Sequence, residues 1–275
     1  MTTASVVHAN VTTLHEALNR DGIVGLPGSF SAQWADDLHA DFTDAFTAAR
    51  SYPGGTIGRG PHRYYFAVHP ERIRGFVDLI THPIVTGLST AVLGSDYQII
   101  ELAFDVPLPG AVDQPWHRDF PMPPETRHER RLSSLAFNVT TVDVTPDLAP
   151  FEIAPGTHWD LGDDFAHDMF PLPPATARYD ELASRRYPRR GDMSARTGLT
   201  LHRGTANHST QSRAVLILGV VSTEVPTGDV HDLVVTRTYY NRLPTQARRH
   251  LRCTVVDKLR PISQKHDIEG LMMGG

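Results

Sequence analysis

A histidine and an aspartate lie two residues apart in the segment PWHRDF, residues 115–120. In a β-strand, side chains at positions i and i+2 point to the same face, so His117 and Asp119 can reach one ion together. Imidazole nitrogen and carboxylate oxygen are both ligands of first-row transition metals. The pair therefore predicts two ligands of a metal site, with a surface histidine beside a solvated aspartate as the structural alternative.

A third ligand must come from a distant segment, and His202 is the best candidate. It ends the strand-like run at residues 199–202 and precedes a polar loop. Two histidines and one carboxylate on one face of an octahedral ion leave three positions open, as in non-haem Fe(II) sites that bind a co-substrate and O2. His208, in the following loop, is the alternative third ligand and is otherwise expected to be an exposed loop histidine.

Arg213 follows His202 by eleven residues and opens the apolar segment RAVLILGVVS. Neighbouring strands lie about 4.8 Å apart, so His202 and Arg213 can face one cavity from adjacent strands. A guanidinium can clamp a carboxylate through two parallel hydrogen bonds. A dicarboxylate that chelates the metal at one end needs such a partner at its other end, and this describes 2-oxoglutarate.

Helical patterns dominate the first 94 residues, which we expect to support the site. Residues 11–20 form a short helix, and Ser31 caps a longer one whose apolar stripe includes Trp34, Leu38 and Phe42. A further helix covers residues 71–93, with a break at His82-Pro83. Residues 52–61 are rich in glycine and proline and form a loop.

After Gly94 the segments become short and rich in β-branched and aromatic residues. We expect strands within residues 97–106, 132–144, 151–156, 198–204, 213–222 and 232–240, and a mainly loop insert over 169–188. Many short strands at this spacing favour a sandwich or a barrel. The sequence predicts one domain over residues 1–275, with helical support to about residue 94, a β core over about 95–240, and a C-terminal extension over about 241–275 that forms a lid or a dimer contact.

Composition narrows the partners and the ligand chemistry. Hydrophobic residues make up 40% of the 275 residues and charged residues 21%, and the net charge is −5. This balance is typical of a globular protein and argues against nucleic acid or an anionic membrane as the main partner. The single cysteine, Cys253, excludes an intrachain disulfide, and fifteen histidines favour a metal held by nitrogen and oxygen. With no signal-peptide pattern and no apolar run long enough to span a bilayer, we expect a cytoplasmic protein.

Four stretches resemble the phytanoyl-CoA dioxygenase-like branch of the Fe(II)/2-oxoglutarate oxygenases. They are LPGAVDQPWHRDF, which contains the His-x-Asp pair; FEIAPGTH, similar to the family's Pro-Gly turn; RRGDM, a Gly-Asp turn before the distal histidine; and HRGTANHSTQSR. The last matches the family's spacing at His202, Gly204, Asn207, Ser209 and Arg213. The N-terminal NRDGIVGLPGSFS is also similar to the family's opening, so the resemblance covers about residues 10–222.

The resemblance implies a mostly β protein with a helical N-terminal third, built around a double-stranded β-helix, the jelly roll or cupin-like fold. It implies that His117, Asp119 and His202 bind Fe(II) and that Arg213 binds the distal carboxylate of 2-oxoglutarate. Gln114 stands where natural-product members of the family use a glutamine to hold the co-substrate, and Ser209 belongs to the same co-substrate pattern. The expected cofactors are therefore Fe(II), 2-oxoglutarate and O2.

The chain departs from the family pattern at the turn that precedes residue 155. Ala149-Pro150 replace the usual Asn-Gly, and Phe151 replaces a polar residue often used for co-substrate contact. Asp119 matters for the reaction, because halogenating relatives have a small residue there and bind chloride in the vacant position. Hydroxylation of a C–H bond in a small molecule, a natural product or its precursor, is therefore the expected activity.

Alternative functions and roles stay open. The same fold can catalyse desaturation, epoxidation or rearrangement, and a jelly-roll protein can bind a metal or a carboxylate without catalysis. His158 is expected to be structural or at the rim of the site. Tyr64, Tyr65 and Phe66 line a substrate pocket or pack beneath the β core. We expect a small-molecule substrate, no nucleic acid and no membrane partner, with a homodimer as an open possibility.

Overall fold

The computed structural model describes residues 3–119, 123–160, 165–166, 168–225 and 233–264. Its α-helices are α1 (Thr3–Asp21), α2 (Ala32–Arg50), α3 (Phe76–Thr81), α4 (Pro83–Leu93), α5 (Pro124–His128), α6 (Thr176–Leu182), α7 (Arg237–Arg242) and α8 (Thr245–His250). Its strands are β1 (Ile23–Leu26), β2 (Ile57–Gly58), β3 (Arg63–Ala67), β4 (Gln98–Pro107), β5 (Ser134–Thr140), β6 (Phe151–Ile153), β7 (Phe165–Ala166), β8 (Phe170–Pro171), β9 (Ser184–Arg186), β10 (Met193–Arg196), β11 (His202–Gly204), β12 (Val215–Val221), β13 (Leu233–Thr236) and β14 (Cys253–Val256). The predicted mostly β fold with a helical N-terminal third is confirmed. The end of the C-terminal extension, residues 265–275, lies outside the described residues.

The N-terminal helices form where capping and apolar spacing predict them. The hydroxyl of Ser31 accepts a hydrogen bond from the backbone N–H of Trp34 at 3.1 Å and so caps α2. Leu38 and Phe42 of α2 are buried at helical spacing, as predicted. The break at His82-Pro83 is also confirmed, because α3 ends at Thr81 and α4 begins at Pro83.

Seven antiparallel strands form the larger sheet, in the order β1-β10-β5-β12-β4-β3-β2. One face is a continuous apolar row across neighbouring strands, formed by Phe66, Phe104, Leu216, Val139 and Met193. Each of these side chains is buried, and the Phe104 ring lies 5.3 Å from that of Phe42 on α2. The helices thus cover this outer face and leave the other, inner face for the cavity.

The smaller sheet has the order β11-β6-β9, again antiparallel. A two-way backbone bridge joins the His117 segment to β11: the N–H of each of His117 and His202 donates to the carbonyl of the other at 3.0 Å. Side chains from this sheet and from the inner face of the larger sheet line one cavity of about 900 Å³. The two sheets therefore enclose the space into which the predicted site residues point.

The sequence missed several strands, all short. β2 and β3 lie in the predicted helical third yet belong to the larger sheet, and β10 follows the expected Gly-Asp turn. The expected insert over residues 169–188 contains β8, α6 and β9, and β9 pairs with β6. Segments of two to five residues acquire their conformation from long-range pairing, which a local pattern does not contain.

The predicted strand over residues 232–240 is wrong in its second half, because α7 begins at Arg237. The Thr236 hydroxyl accepts from the N–H of Tyr239 and caps this helix, while Glu71 accepts from both the N–H and the hydroxyl of Thr236. A cap and an external carboxylate thus override the β propensity of the tyrosines.

No helix among the described residues is long and apolar enough to cross a membrane.

Candidate metal centre

His117, Asp119 and His202 converge at one point on the wall of the cavity. Each offers a ligand atom, and these atoms lie within 4.8 Å of one another. The backbone bridge between His117 and His202 sets the two imidazoles side by side, with ring centroids 4.4 Å apart. The backbone N–H of Asp119 donates to the carbonyl of Gly198 at 3.0 Å, so Asp119 is also bound to the segment that precedes β11. The three side chains predicted from spacing therefore form one cluster.

Both histidines are oriented by their backbone. Nδ1 of His117 lies 2.8 Å from the carbonyl of Pro115, and Nδ1 of His202 lies 2.9 Å from the carbonyl of Thr200. A carbonyl only accepts, so the proton sits on Nδ1 and the Nε2 lone pair is available to a metal. Burial, and then the positive charge of a protonated His202, lower the pKa of His117 well below its ordinary value. The neutral imidazole that metal binding requires is thus the favoured form of His117.

Arg196 of β10 holds the carboxylate of the cluster. Its Nη1 donates to Oδ2 of Asp119 at 2.5 Å and its Nη2 donates to Oδ1 at 3.2 Å. Burial of Asp119 opposes ionisation, but the charge of Arg196 and the nearby His202 outweigh it and lower the pKa of Asp119 far below its usual value. The carboxylate is therefore ionised and fixed in direction, as a metal ligand must be.

The donor set fits a non-haem ferrous ion. Two imidazole nitrogens and one carboxylate oxygen converge from one side, and the cavity lies on the other. The chemistry of this set suits iron and similar divalent ions and leaves positions for small oxygen ligands.

Arg213 points into the same cavity and shares an acidic partner with a second arginine. Its Nη2 donates to Oδ2 of Asp105 at 3.1 Å, and Nη1 of Arg63 reaches the same oxygen at 3.2 Å. Burial lowers the pKa of Arg213 to about 10 in spite of Asp105, so the guanidinium stays charged at neutral pH. Its Nε is buried and has no hydrogen-bond partner among the described residues. Two cations thus face one carboxylate, and the excess positive charge favours a bound anion.

Gln114 lies between this arginine pair and the metal ligands. Its Oε1 accepts from Nη1 of Arg63 and from the N–H of Gly204, both at 3.0 Å. Gly204 is needed there, because a Cβ would lie only 1.7 Å from Nη1 of Arg63. The amide of Gln114 is therefore oriented with its NH2 group available as a donor.

The other residues singled out in the sequence have structural or loop positions. Ser209 does not line the cavity described here; its hydroxyl donates to Asn207 at 2.8 Å within its own loop, which gives the predicted co-substrate contact no support. His208 is exposed, as expected for a loop histidine. His158 is buried with its Nε2 3.0 Å from the carbonyl of Asn19 on α1, which is a structural position. Phe151 lines the cavity, with its ring 5.3 Å from that of His202.

The aromatic run at residues 64–66 divides between the two faces of β3. Tyr65 lines the cavity, whereas Phe66 is in the core and the Tyr64 ring packs against Phe46 at 5.9 Å. Because side chains alternate between the two faces of a strand, Tyr65 lines the pocket while Tyr64 and Phe66 pack in the core, so each of the two interpretations holds for part of the run.

Sequence reasoning missed four polar residues of the cavity: Arg63, Glu101, Asp105 and Arg196. Each lies on a strand of the larger sheet, alternating with apolar residues of the outer face. Two acidic residues four positions apart, Glu101 and Asp105, were the signal available in the sequence, because residues at even spacing on a strand share one face.

A model of the phytanoyl-CoA dioxygenase (PhyH) family matches residues 18–215 of this chain. No curated protein sequence matches it. Solved structures do match, and in the three described next the likeness lies in the fold, because sequence identity is below 20%.

Three of these structures indicate the extent of the likeness. The epimerase SnoN, in complex with Fe3+, alpha ketoglutarate and nogalamycin RO, is 19% identical with a TM-score of 0.60, over 97% of this chain and 98% of SnoN. EctD from S. alaskensis, with 2-oxoglutarate and 5-hydroxyectoine, is 17% identical with a TM-score of 0.60, over 77% of this chain and 76% of EctD. The carbocyclase SnoK from nogalamycin biosynthesis is 17% identical with a TM-score of 0.57, over 76% of this chain and 83% of SnoK.

Proposed function

The chain belongs to the phytanoyl-CoA dioxygenase (PhyH) family, and from this premise we propose that it is an Fe(II)/2-oxoglutarate-dependent dioxygenase of a small organic molecule. One observation supports this most: the ligand atoms of His117, Asp119 and His202 lie within 4.8 Å of one another on a cavity that also contains Arg213. The triad can bind the iron, and the buried guanidinium of Arg213, whose Nε has no partner among the described residues, can bind the distal carboxylate of 2-oxoglutarate.

The roles of the metal ligands follow from their orientation. His117 and His202 bind Fe(II) through Nε2, and Asp119 binds it through its carboxylate, with Arg196 holding that carboxylate in place. When bound, Fe(II) with 2-oxoglutarate and O2 supplies the oxidant for a substrate C–H bond and releases succinate and CO2. The protein contributes the orientation of the co-substrate and of the substrate in the cavity.

Arg213 binds the distal carboxylate of 2-oxoglutarate in this proposal. Its unpartnered Nε and the excess charge of the Arg63–Asp105–Arg213 group support the role. Gln114 donates a hydrogen bond to the co-substrate from the NH2 group that its contacts with Arg63 and Gly204 set free. Phe151 provides an apolar wall where relatives use a polar residue.

Hydroxylation is the outcome we propose, since Asp119 occupies the position that chloride would need. A second outcome keeps the site and changes the fate of the substrate, as desaturation, epoxidation or rearrangement. SnoN is an epimerase and SnoK a carbocyclase, so similar folds perform more than one reaction. The position of the substrate relative to the iron decides between them.

The proposed fold is a double-stranded β-helix within a single domain over residues 1–275. Two antiparallel sheets that line one cavity support it, as does the pairing of β1, from the N-terminal third, with β10. The proposed substrate is a natural product or its precursor. Cytoplasmic location and a homodimer stay predictions.

Succinate formation from 2-oxoglutarate, measured with Fe(II) and ascorbate in air, tests the enzymatic function. Even without the true substrate, slow uncoupled turnover is expected from the native chain. His117→Ala should reduce it at least about a hundredfold, since loss of a metal ligand removes the site that chemistry requires. His208→Ala removes the exposed loop histidine and serves as the matched control, with turnover unchanged.

The outcomes separate the candidate functions. A chain that binds Fe(II) and 2-oxoglutarate but forms no succinate under these conditions would be a non-catalytic binding protein. Near-native turnover by His117→Ala, or equal losses in both variants, would contradict the ligand assignment.

A further inference from the structure

Glu101 and Tyr65 line the cavity but take no part in holding the metal or the co-substrate. Glu101 lies on the inner face of β4, and the Tyr65 hydroxyl from β3 donates to its Oε1 at 2.5 Å. Between Glu101 and Asp105, the inner-face position of β4 is Ala103, whose small side chain leaves the space that Tyr65 crosses. The carboxylate is thus fixed in direction by a neighbouring strand.

Gly219 of β12 makes room for this carboxylate. Gly219 is the cross-strand partner of Glu101, and a Cβ built on it would lie 2.5 Å from Oε2 and 2.7 Å from Cβ of Glu101. Any larger residue would push Glu101 off the sheet and into the cavity. The side chain therefore lies flat over Gly219 and leaves the volume above it open.

Glu101 differs from the other carboxylates of the described cavity wall. Three of them form ion pairs with arginines, and the fourth accepts two backbone N–H groups. Among the described residues Glu101 has the Tyr65 hydroxyl as its hydrogen-bond partner and no ion pair. Arg59 lies over the Tyr65 ring at 5.1 Å and is not bonded to Glu101. A half-buried carboxylate without a cation is destabilised, and a cationic ligand would remove that cost.

The carboxylate lies within reach of the reaction site. Glu101, Gly219, Ala136 and Arg196 form one cross-strand row on the inner face, and Arg196 holds Asp119. Glu101 and Arg196 are the two ends of this row. Three strand spacings separate them, which puts their backbones about 14 Å apart. The side chains of both line the cavity. The pKa of Tyr65 is raised first by burial, then by the negative charge of Glu101, and more weakly by that of Asp119. The Tyr65 hydroxyl therefore interacts with both carboxylates. The two middle residues of the row, Gly219 and Ala136, have no side chain larger than a methyl group.

We propose that Glu101, positioned by Tyr65, binds a protonated amine of the substrate, so that the substrate class is a compound with a basic nitrogen a few bonds from the carbon that is oxidised. This inference rests on the proposed oxygenase function of the same cavity. An ammonium group compensates the charge of a partly desolvated carboxylate, which a neutral hydroxyl does not do. The arginines near the co-substrate repel the same group, so the substrate has one favoured orientation.

Two matched pairs of probes test the anchor: benzylamine against benzyl alcohol, and cyclohexylamine against cyclohexanol. Their dissociation constants are measured by calorimetry at pH 7 on the chain loaded with Mn(II) and 2-oxoglutarate, after the binding of both has been titrated. The native chain should bind an amine at least about tenfold more tightly than its alcohol, as a charge-assisted hydrogen bond requires. Glu101→Gln keeps the shape and the Tyr65 contact and should abolish this preference.

Asp21→Asn is the control, because it removes one negative charge from the cavity wall at an aspartate already paired with Arg20. It should leave the amine preference intact. Equal affinity for amine and alcohol in both pairs, no measurable amine binding, or the same loss in Asp21→Asn as in Glu101→Gln would overturn the anchor. Failure of Mn(II) and 2-oxoglutarate to bind would instead overturn the oxygenase proposal, so the two failures are distinguishable.

Discussion

Adjacent residues of β5 lie in opposite environments. Phe137 and Val139 are completely buried in the apolar layer between the larger sheet and the helices, whereas Asn138 and Thr140 face the cavity. The same alternation holds on β4, where Phe104 points outward and Asp105 inward. On these strands, residues of the outer face therefore pack in the core, and the residues that alternate with them on the inner face line the cavity.

The comparison shows how the chain separates stability from chemistry. The outer face contributes the apolar area that drives folding, and it tolerates no polar group. The inner face contains arginines, carboxylates and an asparagine whose Oδ1 is buried without a partner among the described residues. A rigid outer layer is what allows the inner side chains to keep their positions.

The largest expected effect concerns the two faces directly. Phe137→Ala should destabilise the protein by about 3–5 kcal/mol, since it leaves a cavity in the core. Asn138→Ala, one residue away, should change the free energy of unfolding by less than about 1 kcal/mol, because it removes a buried acceptor that has no partner. Urea unfolding of both variants measures the difference. A similar loss of unfolding free energy in Phe137→Ala and Asn138→Ala would contradict the division of β5 into a packing face and a cavity face.

A second prediction concerns the inner face alone. Arg213→Leu should weaken 2-oxoglutarate binding by about 2–4 kcal/mol, or about thirtyfold to a thousandfold, because a buried cationic partner is lost. Asp105 keeps Arg63 as its partner, so the fold should survive. Calorimetric titration of 2-oxoglutarate into the Mn(II)-loaded chain measures the change. The matched control is Arg186→Leu, at an exposed arginine of the cavity wall, for which we expect native affinity.

A substitution of Arg196 tests whether the direction of the Asp119 carboxylate matters for metal binding, in addition to its presence as a proposed ligand. Arg196→Leu should weaken Mn(II) binding about tenfold to a hundredfold, because Asp119 loses the two hydrogen bonds that direct its carboxylate. Arg196→Lys keeps a positive charge and one donor and should restore part of the affinity. Metal affinity, determined by electron paramagnetic resonance of free Mn(II), distinguishes this from a general loss of structure. An unchanged Mn(II) affinity in Arg196→Leu would show that Arg196 is not needed to direct the Asp119 carboxylate toward the metal.

The smallest expected effect concerns Ser209. Its hydroxyl is bonded within the 207–211 loop, so Ser209→Ala should change the affinity for 2-oxoglutarate by less than about threefold. The same titration measures it. A loss comparable to that of Arg213→Leu would show that the loop reorganises to bring Ser209 to the co-substrate.

The sequence predicts the metal cluster better than its surroundings, for a physical reason. His117 and Asp119 are two apart on one segment, so local geometry brings this pair to one face. His202 and Arg213 reach the same cavity from different sheets and not from adjacent strands as expected, because β11 pairs with β6 and Arg213 precedes β12 of the larger sheet. Asp105, Arg63 and Arg196 meet them only through the strand order β10-β5-β12-β4-β3. That order depends on pairing between distant segments, and the strands that hold Arg63 and Arg196 have five and four residues.

The helices were easier to predict than their ends. Apolar spacing located α2, and proline located the boundary between α3 and α4, because both signals act within a few residues. The strand predicted across Arg237 failed because the cap at Thr236 depends on Glu71, which is distant in sequence. Where local propensity does not fix the secondary structure, contacts with residues distant in sequence determine it.

A crystal structure of the chain grown anaerobically with Fe(II) and 2-oxoglutarate, with the iron located by anomalous scattering, tests the central claim most directly. We expect a single iron bound to Nε2 of His117, a carboxylate oxygen of Asp119 and Nε2 of His202, and a 2-oxoglutarate whose distal carboxylate contacts Arg213. Iron bound at another place, or a co-substrate directed away from Arg213, would contradict the account.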